Sequence, residues 1–372
     1  MKKKHIAMAG GTHVFPIKSL IEHIHKNPKY SQKISKIIRF GQKKSLEKEL
    51  FDELKQKYPL LYFQNIVSGK YRRETWFSSK LKNVRDIFKF MFGIFQSIFY
   101  LVIHRVDVVF CKYVALPVVF AARFLRKKIV VHESDVRSLV NKIAARYANR
   151  VFTGFDVFVK STTVGQILSD EIISKQSIKN PPKVRDISQK NIELTIQEQL
   201  FYSDPSKTYL LVMSQSKRLY QDLQNTIVSN PEIFKNYEIF VVLKENVQQK
   251  ELFEKIKNVH TFDFLSQSEM LLLKHCDISL TRAGTTSLAE QKLYNLKIIM
   301  VPIPWTHDQY DNAKYYVKHY DDILLDSKDP DYKNNMLKIF DDYKNFKKSE
   351  QNVDILSVIS KAKDVIVNEL IS

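Results

Sequence analysis

Cysteine is nearly missing from this chain, and glycine is scarce: two and eight occurrences in 372 residues. Cys111 and Cys276 each lie in or beside an apolar run, which excludes a disulfide framework and fits buried thiols in a reducing compartment, neither of them set up as a nucleophile. No secretory signal is expected, because the basic start from Met1 to His5 leads into a stretch too short and too glycine-punctuated to serve as an apolar signal core. The protein is therefore expected to stay inside the cell. There is no internal repeat, no low-complexity tract and no run of coiled-coil heptads, so solenoid and fibrous architectures are excluded. Acidic residues are in deficit, 40 against 59 lysines and arginines, for a formal charge of +19. Such an excess suits nucleic acid, anionic lipid or a phosphorylated substrate, and charge alone does not choose among them. Part of it matches a general abundance of Lys, Ile and Asn, which base composition can impose.

What is present is periodic. The length exceeds the roughly 150-residue domain prior about twofold, so two domains with a cleft between them are expected. Short β-branched runs alternate with helical stretches: Ile6 to Met8, Ile37 to Phe40, Asp107 to Cys111, Ile129 to His132 and Val151 to Thr153 in the first half. The second half repeats the scheme with Tyr209 to Met213, Ile239 to Leu243, Val259 to Phe264, Ile278 to Thr281 and Ile298 to Val301. This alternation predicts an α/β protein built of two Rossmann-like parallel-sheet domains. The polar stretch Ser174 to Asp204, with Asn180-Pro181-Pro182 at its middle, reads as an inter-domain excursion. The expected division is 1–168, 169–340, and a closing helix within 341–372 that packs back toward the first domain.

Ligands of open parallel sheets bind where loops leave the carboxyl ends of the strands. The first strand runs into Ala9-Gly10-Gly11-Thr12-His13-Val14-Phe15-Pro16. Paired glycines expose N–H groups at a helix start, where phosphate oxygens are favoured, and His13 can take a proton from an attacking hydroxyl. A capping turn with a structural histidine is the plainer reading of that segment. The second motif is Thr281-Arg282-Ala283-Gly284-Thr285-Thr286-Ser287-Leu288-Ala289-Glu290, again a strand end, a glycine turn and a helix start. Thr286 and Glu290 share one helix face, so hydroxyls and N–H groups suit a diphosphate while the carboxylate suits a ribose diol. A surface glutamate behind a threonine cap explains Glu290 poorly. After the next strand, Pro302 and Pro304 stiffen an exit into Trp305-Thr306-His307-Asp308-Gln309-Tyr310-Asp311-Asn312-Ala313, whose amides and carboxylates can bond sugar hydroxyls.

Taken in order, these three blocks resemble the MurG-like UDP-N-acetylglucosamine transferases, which are family-28 glycosyltransferases. Further matches are His132-Glu133-Ser134-Asp135 with Asn141-Lys142, Tyr113-Val114 with Pro117, Ser214-Gln215, and Phe264-Leu265. The resemblance spans roughly residues 5 to 325. It implies the GT-B fold and inverting transfer of N-acetylglucosamine from UDP-N-acetylglucosamine to undecaprenyl-pyrophosphoryl-MurNAc-pentapeptide, lipid I to lipid II, in peptidoglycan synthesis. It implies no cofactor and no metal; the Asp329-Pro330-Asp331 triplet lies too late for a metal role. By resemblance His13 is the base, Thr12 and Tyr113 lie near the acceptor diphosphate, and Glu290 holds the ribose. Thr285, Thr286 and Ser287 face the donor phosphates, with Ser214 and Leu265 also on the donor, and Gln309 reads the sugar. Asp135 stands where the family often carries Asn. The chain departs from the family in its glycines: two are missing between Thr12 and His13, and Val212-Met213-Ser214-Gln215-Ser216 replaces a Gly-Gly-Ser-Gln-Gly, placing bulky side chains where backbone should approach phosphate. Gly165-Gln166-Ile167-Leu168-Ser169 stands in for a Gly-Asn-Pro-Val-Arg, removing an arginine.

Ile87 to Ile103 is rich in aromatic and aliphatic residues, among them Phe88, Phe92, Phe95 and Phe99, with Lys89 inside it and Lys70, Arg72, Arg73, Lys80, Lys82 and Arg85 upstream. At about 17 residues it is at the short limit for crossing a bilayer, so it is expected to lie on an anionic membrane surface, peripheral on the cytoplasmic face of the plasma membrane. A buried helix of the first domain is the alternative. For function, a related enzyme acting on another glycolipid and an inactive UDP-sugar-binding protein both stay open. Nucleic-acid binding is not expected, since no module for it is recognisable.

Overall fold

The computed structural model describes residues 3–10, 14–41, 46–67, 77–112, 116–136, 139–157, 160–176, 206–214, 216–243, 247–263, 272–342 and 353–372. The chain divides into two compact units, one made of Met1–Ser169 with Ser357–Ser372, the other of Asp170–Leu356.

Seven strands build the sheet of the first unit: β1 (Lys4–Gly10), β2 (Ile34–Gly41), β3 (Leu61–Asn65), β4 (Val108–Lys112), β5 (Lys128–Glu133), β6 (Arg150–Thr153) and β7 (Thr162–Thr163). Their order is β3-β2-β1-β4-β5-β6-β7, and the paired strands are parallel. The crossovers carry α1 (Val14–Lys26), α2 (Pro28–Ser31), α3 (Leu46–Lys57), α4 (Phe77–Ile103), α5 (Leu116–Phe124) and α6 (Leu139–Tyr147). Alternation along β1 explains the two-sided burial. Ile6 and Met8 join one core layer with Ile17, Leu20 and Phe110, while Ala7 and Ala9 join the opposite layer with Leu101, Val118 and Ala122.

The second unit repeats the plan with α7 (Asp170–Gln176), β8 (Thr208–Met213), α8 (Lys217–Ser229), α9 (Pro231–Phe234), β9 (Tyr237–Val242), α10 (Val247–Phe253), β10 (Val259–Phe262) and α11 (Leu272–His275). It continues through β11 (Ile278–Thr281), α12 (Thr285–Leu293), β12 (Lys297–Met300), α13 (His307–Tyr320), β13 (Ile323–Leu324) and α14 (Tyr332–Asp341). Its six parallel strands run β10-β9-β8-β11-β12-β13. In both sheets the order reverses beside the first strand, between β1 and β4 and between β8 and β11. Loops diverge at such a reversal and leave a crevice.

The last helix, α15 (Val353–Ile371), is held by the first unit's core. Ala362, Ile366, Val367, Leu370 and Ile371 pack in the layer that contains Ile6 and Met8. Polar ties add direction: Lys363 Nζ donates to Leu168 O at 2.7 Å, and Asp364 accepts from the Tyr30 hydroxyl and pairs with His23 at 3.0 Å.

Helix α4 starts ten residues before the apolar stretch read from sequence and is two-faced. Gly93 sits so close to Val67 O that a Cβ there would come within 2.1 Å of it. Val67 N–H donates to Gln96 Oε1 at 2.9 Å, and Ser97 and Leu101 are fully buried. The other face exposes Phe88, Phe92, Phe95 and Phe99 together with Ile87 and Met91. Within α4, Asn83–Ile103 is the single stretch among the described residues that is long and apolar enough to cross a membrane.

Candidate functional site

In the second unit three loops at the carboxyl ends of the strands come together. Gly284 is the N-cap of α12, with φ −81° and ψ 124°, and Thr285 opens the helix, so the first-turn N–H groups follow a glycine turn. A Cβ added at Gly284 would meet nothing within 4 Å, which makes this turn open space in front of a helix N-terminus. Neighbouring segments fasten it from behind. Thr281 Oγ1 donates to Met213 O at 2.8 Å, joining β11 to the end of β8, and Asn312 Nδ2 donates to Ala283 O at 3.2 Å. Asn312 and Ala313 are buried, so they anchor α13 against the glycine turn.

Glu290 lies in the second turn of α12, partly buried, with no hydrogen-bond or ion-pair partner among the described residues. Burial pushes its carboxyl up to about 7. A carboxylate in that position is desolvated without compensation, the condition in which a diol donating two O–H groups is bound most strongly. The nearby carboxyl also raises Tyr294 to about 12, after burial as the larger cause. Thr285 is buried, while Thr286 and Ser287 are partly exposed on the same helix. Ser214 is buried at the end of β8, where its N–H donates to the Tyr220 hydroxyl and its Oγ accepts from Ser216 N–H at 3.2 Å. Gln309 Oε1 accepts from Ile303 N–H at 3.0 Å, which fixes the side chain and leaves its amide nitrogen with no partner among the described residues. Ser214, Thr285, Thr286, Ser287, Glu290 and Gln309 thus belong to one unit and one end of its sheet. Val212 corrects one sequence expectation: it is turned wholly into the core beside Leu210, because β8 still alternates there, and it does not confront the crevice. Leu265 lies outside the described residues.

In the first unit, Thr12 and His13 follow β1, and Tyr113 follows β4, the two strands that flank the reversal; all three lie outside the described residues. The described ends of β4 and β5 carry an ion-rich cluster, in which sequence reading named His132, Glu133, Ser134 and Asp135 but passed over Lys112. Lys112, the last residue of β4, is buried, with Nζ 3.1 Å from His132 Nδ1 and donating to Ser134 Oγ. Burial pulls its ammonium down to about 7 against the opposing pull of Asp135 and Glu133. His132 is held well below its ordinary value by burial and then by Lys112, so Nδ1 accepts while Nε2–H donates to Gly165 O at 2.9 Å. Asp135 is partly buried just past β5, its N–H donating to Glu133 Oε1, and it belongs to the same unit as Thr12, His13 and Tyr113. The signal for Lys112 was a lysine closing an otherwise apolar strand, Val108-Val109-Phe110-Cys111. Gln166, in the segment that departs from the family pattern, is buried and donates from Nε2 to Ser134 O at 2.8 Å.

Both cysteines are buried, and burial pushes the Cys111 thiol up to about 12, consistent with inert packing residues. Among the described residues no group of three His, Cys, Asp or Glu side chains is placed to hold a metal ion. Asp331 N–H donates to Asp329 Oδ1 at 2.9 Å in the turn ahead of α14.

Comparison with known proteins agrees across nearly the whole chain. Residues 6–153 match the glycosyltransferase family 28 N-terminal domain, and residues 212–368 match the glycosyltransferase family 28 C-terminal domain. A UDP-N-acetylglucosamine--N-acetylmuramyl-(pentapeptide) pyrophosphoryl-undecaprenol N-acetylglucosamine transferase from Streptococcus mutans is 30% identical over 85% of this chain and 82% of its own length. The enzyme of that name from Streptococcus uberis is 27% identical over 86% of this chain and 83% of its own. Among solved structures, MurG of Acinetobacter baumannii superposes with a TM-score of 0.70 at 17% identity, covering 99% of each chain, a likeness of fold.

Proposed function

The chain belongs to glycosyltransferase family 28, and from that premise we propose that it transfers N-acetylglucosamine from UDP-N-acetylglucosamine to a muramyl-pentapeptide carried on pyrophosphoryl-undecaprenol, with inversion at the anomeric carbon. The observation that carries the donor half is Glu290: a partly buried carboxyl, without a partner among the described residues, one turn beyond an open glycine turn. Its two oxygens accept the ribose hydroxyls. The N–H groups and hydroxyls of Thr285, Thr286 and Ser287, with Ser214, receive the diphosphate, and the amide nitrogen of Gln309 donates to a sugar hydroxyl. Leu265 meets the uracil, and Asp135 contributes to the sugar.

In the reaction, the acceptor's 4-hydroxyl oxygen bonds to the anomeric carbon as the bond from that carbon to the β-phosphate oxygen breaks. The hydroxyl proton passes to His13, and the electron pair of the broken bond leaves with UDP, whose developing charge the α12 N-terminus offsets. Thr12 and Tyr113 hold the acceptor diphosphate. Product is a peptidoglycan precursor. The protein works as a peripheral enzyme at the cytoplasmic face of the plasma membrane. Supporting that placement are the exposed aromatic face of α4, the buried opposite face that keeps the helix on the protein, and the +19 charge, which favours anionic headgroups.

The test is transfer of radiolabel from UDP-N-acetylglucosamine to a short-chain lipid-linked acceptor, with UDP-glucose and diacylglycerol as competitors. Glu290→Ala should raise the donor KM at nearly constant kcat, and His13→Ala should lower kcat by about 10²–10⁴-fold. A full rate in the His13 variant removes that residue from catalysis, and binding of UDP without turnover identifies an inactive sugar-nucleotide binder.

A further inference from the structure

A pocket in the second unit shares Arg282 and Ser216 with the donor motifs but is lined by none of the residues assigned above to the donor. Its walls are the start of α8, the loop that leaves β12 and the turn before α14. Three of its lining residues carry a side-chain atom shielded from solvent with no hydrogen-bond partner among the described residues: Arg282 Nε, Asp222 Oδ2 and Ser327 Oγ. Leaving even one buried polar atom unpaired is costly, and three around one pocket call for a ligand that answers all of them. Arg218 Nε stands 3.7 Å from Asp222 Oδ2, so those two charges largely offset and the guanidinium of Arg282 remains, which suits a single negative charge.

The mixture of orphans narrows the chemistry. Arg282 Nε–H requires an acceptor, and the Ser327 hydroxyl can donate to the same group. Asp222 Oδ2 takes a neutral donor, and the one net positive charge left by Arg282 matches a monoanion better than a dianion, which disfavours phosphate. Pro302, Pro304 and Trp305 supply an apolar side, with the indole 80% exposed at the rim. We infer that this pocket binds a carboxylate flanked by an N–H donor, as at the carboxyl end of a short peptide, between Arg282, Asp222 and Ser327. The carboxylate accepts from Arg282 and Ser327, the adjoining amide N–H donates to Asp222, and a small apolar side chain rests on the proline and tryptophan wall. The site communicates with the donor residues through one bond, since Ile303 of its wall donates to Gln309. Two sources share this chemistry: a free peptide, and the peptide of a lipid-linked acceptor, of which only the second rests on the function proposed above.

Calorimetry on the full chain tests it with N-acetyl-alanyl-alanine, the same dipeptide as its C-terminal amide, inorganic phosphate, and UDP. The acid should bind, with the amide and phosphate weaker by at least about tenfold, as for loss of a charge-assisted contact. Ser327→Ala and Asp222→Leu should each weaken the acid by about tenfold or more while UDP binds as in the parent; Ser327→Ala, the smaller change, serves if Asp222→Leu does not fold. No heat from the acid, equal binding of all three probes, or undiminished binding in Ser327→Ala overturns the inference. UDP heat retained in that case leaves the donor reading standing. Where the acid binds, acceptors bearing a free or an amidated peptide terminus assign the source: a raised KM for the amide alone points to the acceptor's peptide, and equal KM values to a free one.

Discussion

Glu290, proposed as the ribose acceptor, would in that role couple ligand binding to pH. An ionised carboxyl is the better acceptor for hydroxyls, and burial holds this one near 7. UDP affinity is therefore expected to fall as pH drops through about 7, and calorimetry in buffers of different ionisation enthalpy should show proton release on binding; an affinity flat between about pH 8 and pH 6 would exclude Glu290 as the ribose acceptor. The same shift acts on stability with a definite sign. Because the folded value is raised above the ordinary 4.5, stability is complete below that pH and is lost as pH rises through about 7. Glu290→Gln should accordingly raise Tm of the unliganded protein near pH 8, by a gain of about 1–3 kcal/mol that vanishes near pH 4.5. Gly284 offers a complementary test. A Cβ there meets only open space, so Gly284→Ala should change stability by no more than about 1 kcal/mol yet raise the donor KM, since the methyl group would occupy the approach of the diphosphate. The motif around these residues was legible in sequence, because a strand end, a glycine turn and a helix start follow one another without interruption. Lys112 was not, since its burial depends on His132 and Ser134, twenty and more residues away.

Elements decide what the aromatic stretch is. Sequence alone left open whether Phe88, Phe92, Phe95 and Phe99 form core or surface, because thirteen apolar side chains in seventeen positions mark no single face. The structure assigns the faces: Gly93, Ser97 and Leu101 press on the protein and the four phenylalanines look outward. Phe92→Asp with Phe95→Asp should therefore abolish flotation with anionic vesicles while leaving Tm nearly unchanged, and flotation retained by that variant would dismiss the membrane reading. Leu101→Ala, on the buried face, should instead cost about 2–5 kcal/mol of stability without touching vesicle binding per folded molecule. Among the strands, β3, β7 and β13 went unread. Two of them have two residues each, and β3, Leu61-Tyr62-Phe63-Gln64-Asn65, is an edge strand with a single fully buried position, so none shows a repeating pattern.

At the scale of the whole molecule, α15 ties the end of the chain into the unit that contains its beginning. Its apolar positions complete the layer around Ile6 and Met8, and its Asp364 bonds Tyr30 and His23. Ending the chain before Val353 should expose that layer and lower Tm by more than about 10 °C or leave the protein aggregated, whereas a truncated chain melting like the parent would show that α15 is dispensable. The amino-acid sequence by itself determined the parallel α/β plan, the repetition of that plan in two halves, and the family, because strand and helix periods and glycine turns are local properties of consecutive residues. Tertiary structure alone decided which apolar face of α4 is covered, that Lys112 and His132 meet at hydrogen-bonding distance in the core, and that Arg282, Asp222 and Ser327 surround one pocket. Those facts depend on desolvation, and desolvation is set by neighbours that folding brings in from distant parts of the chain.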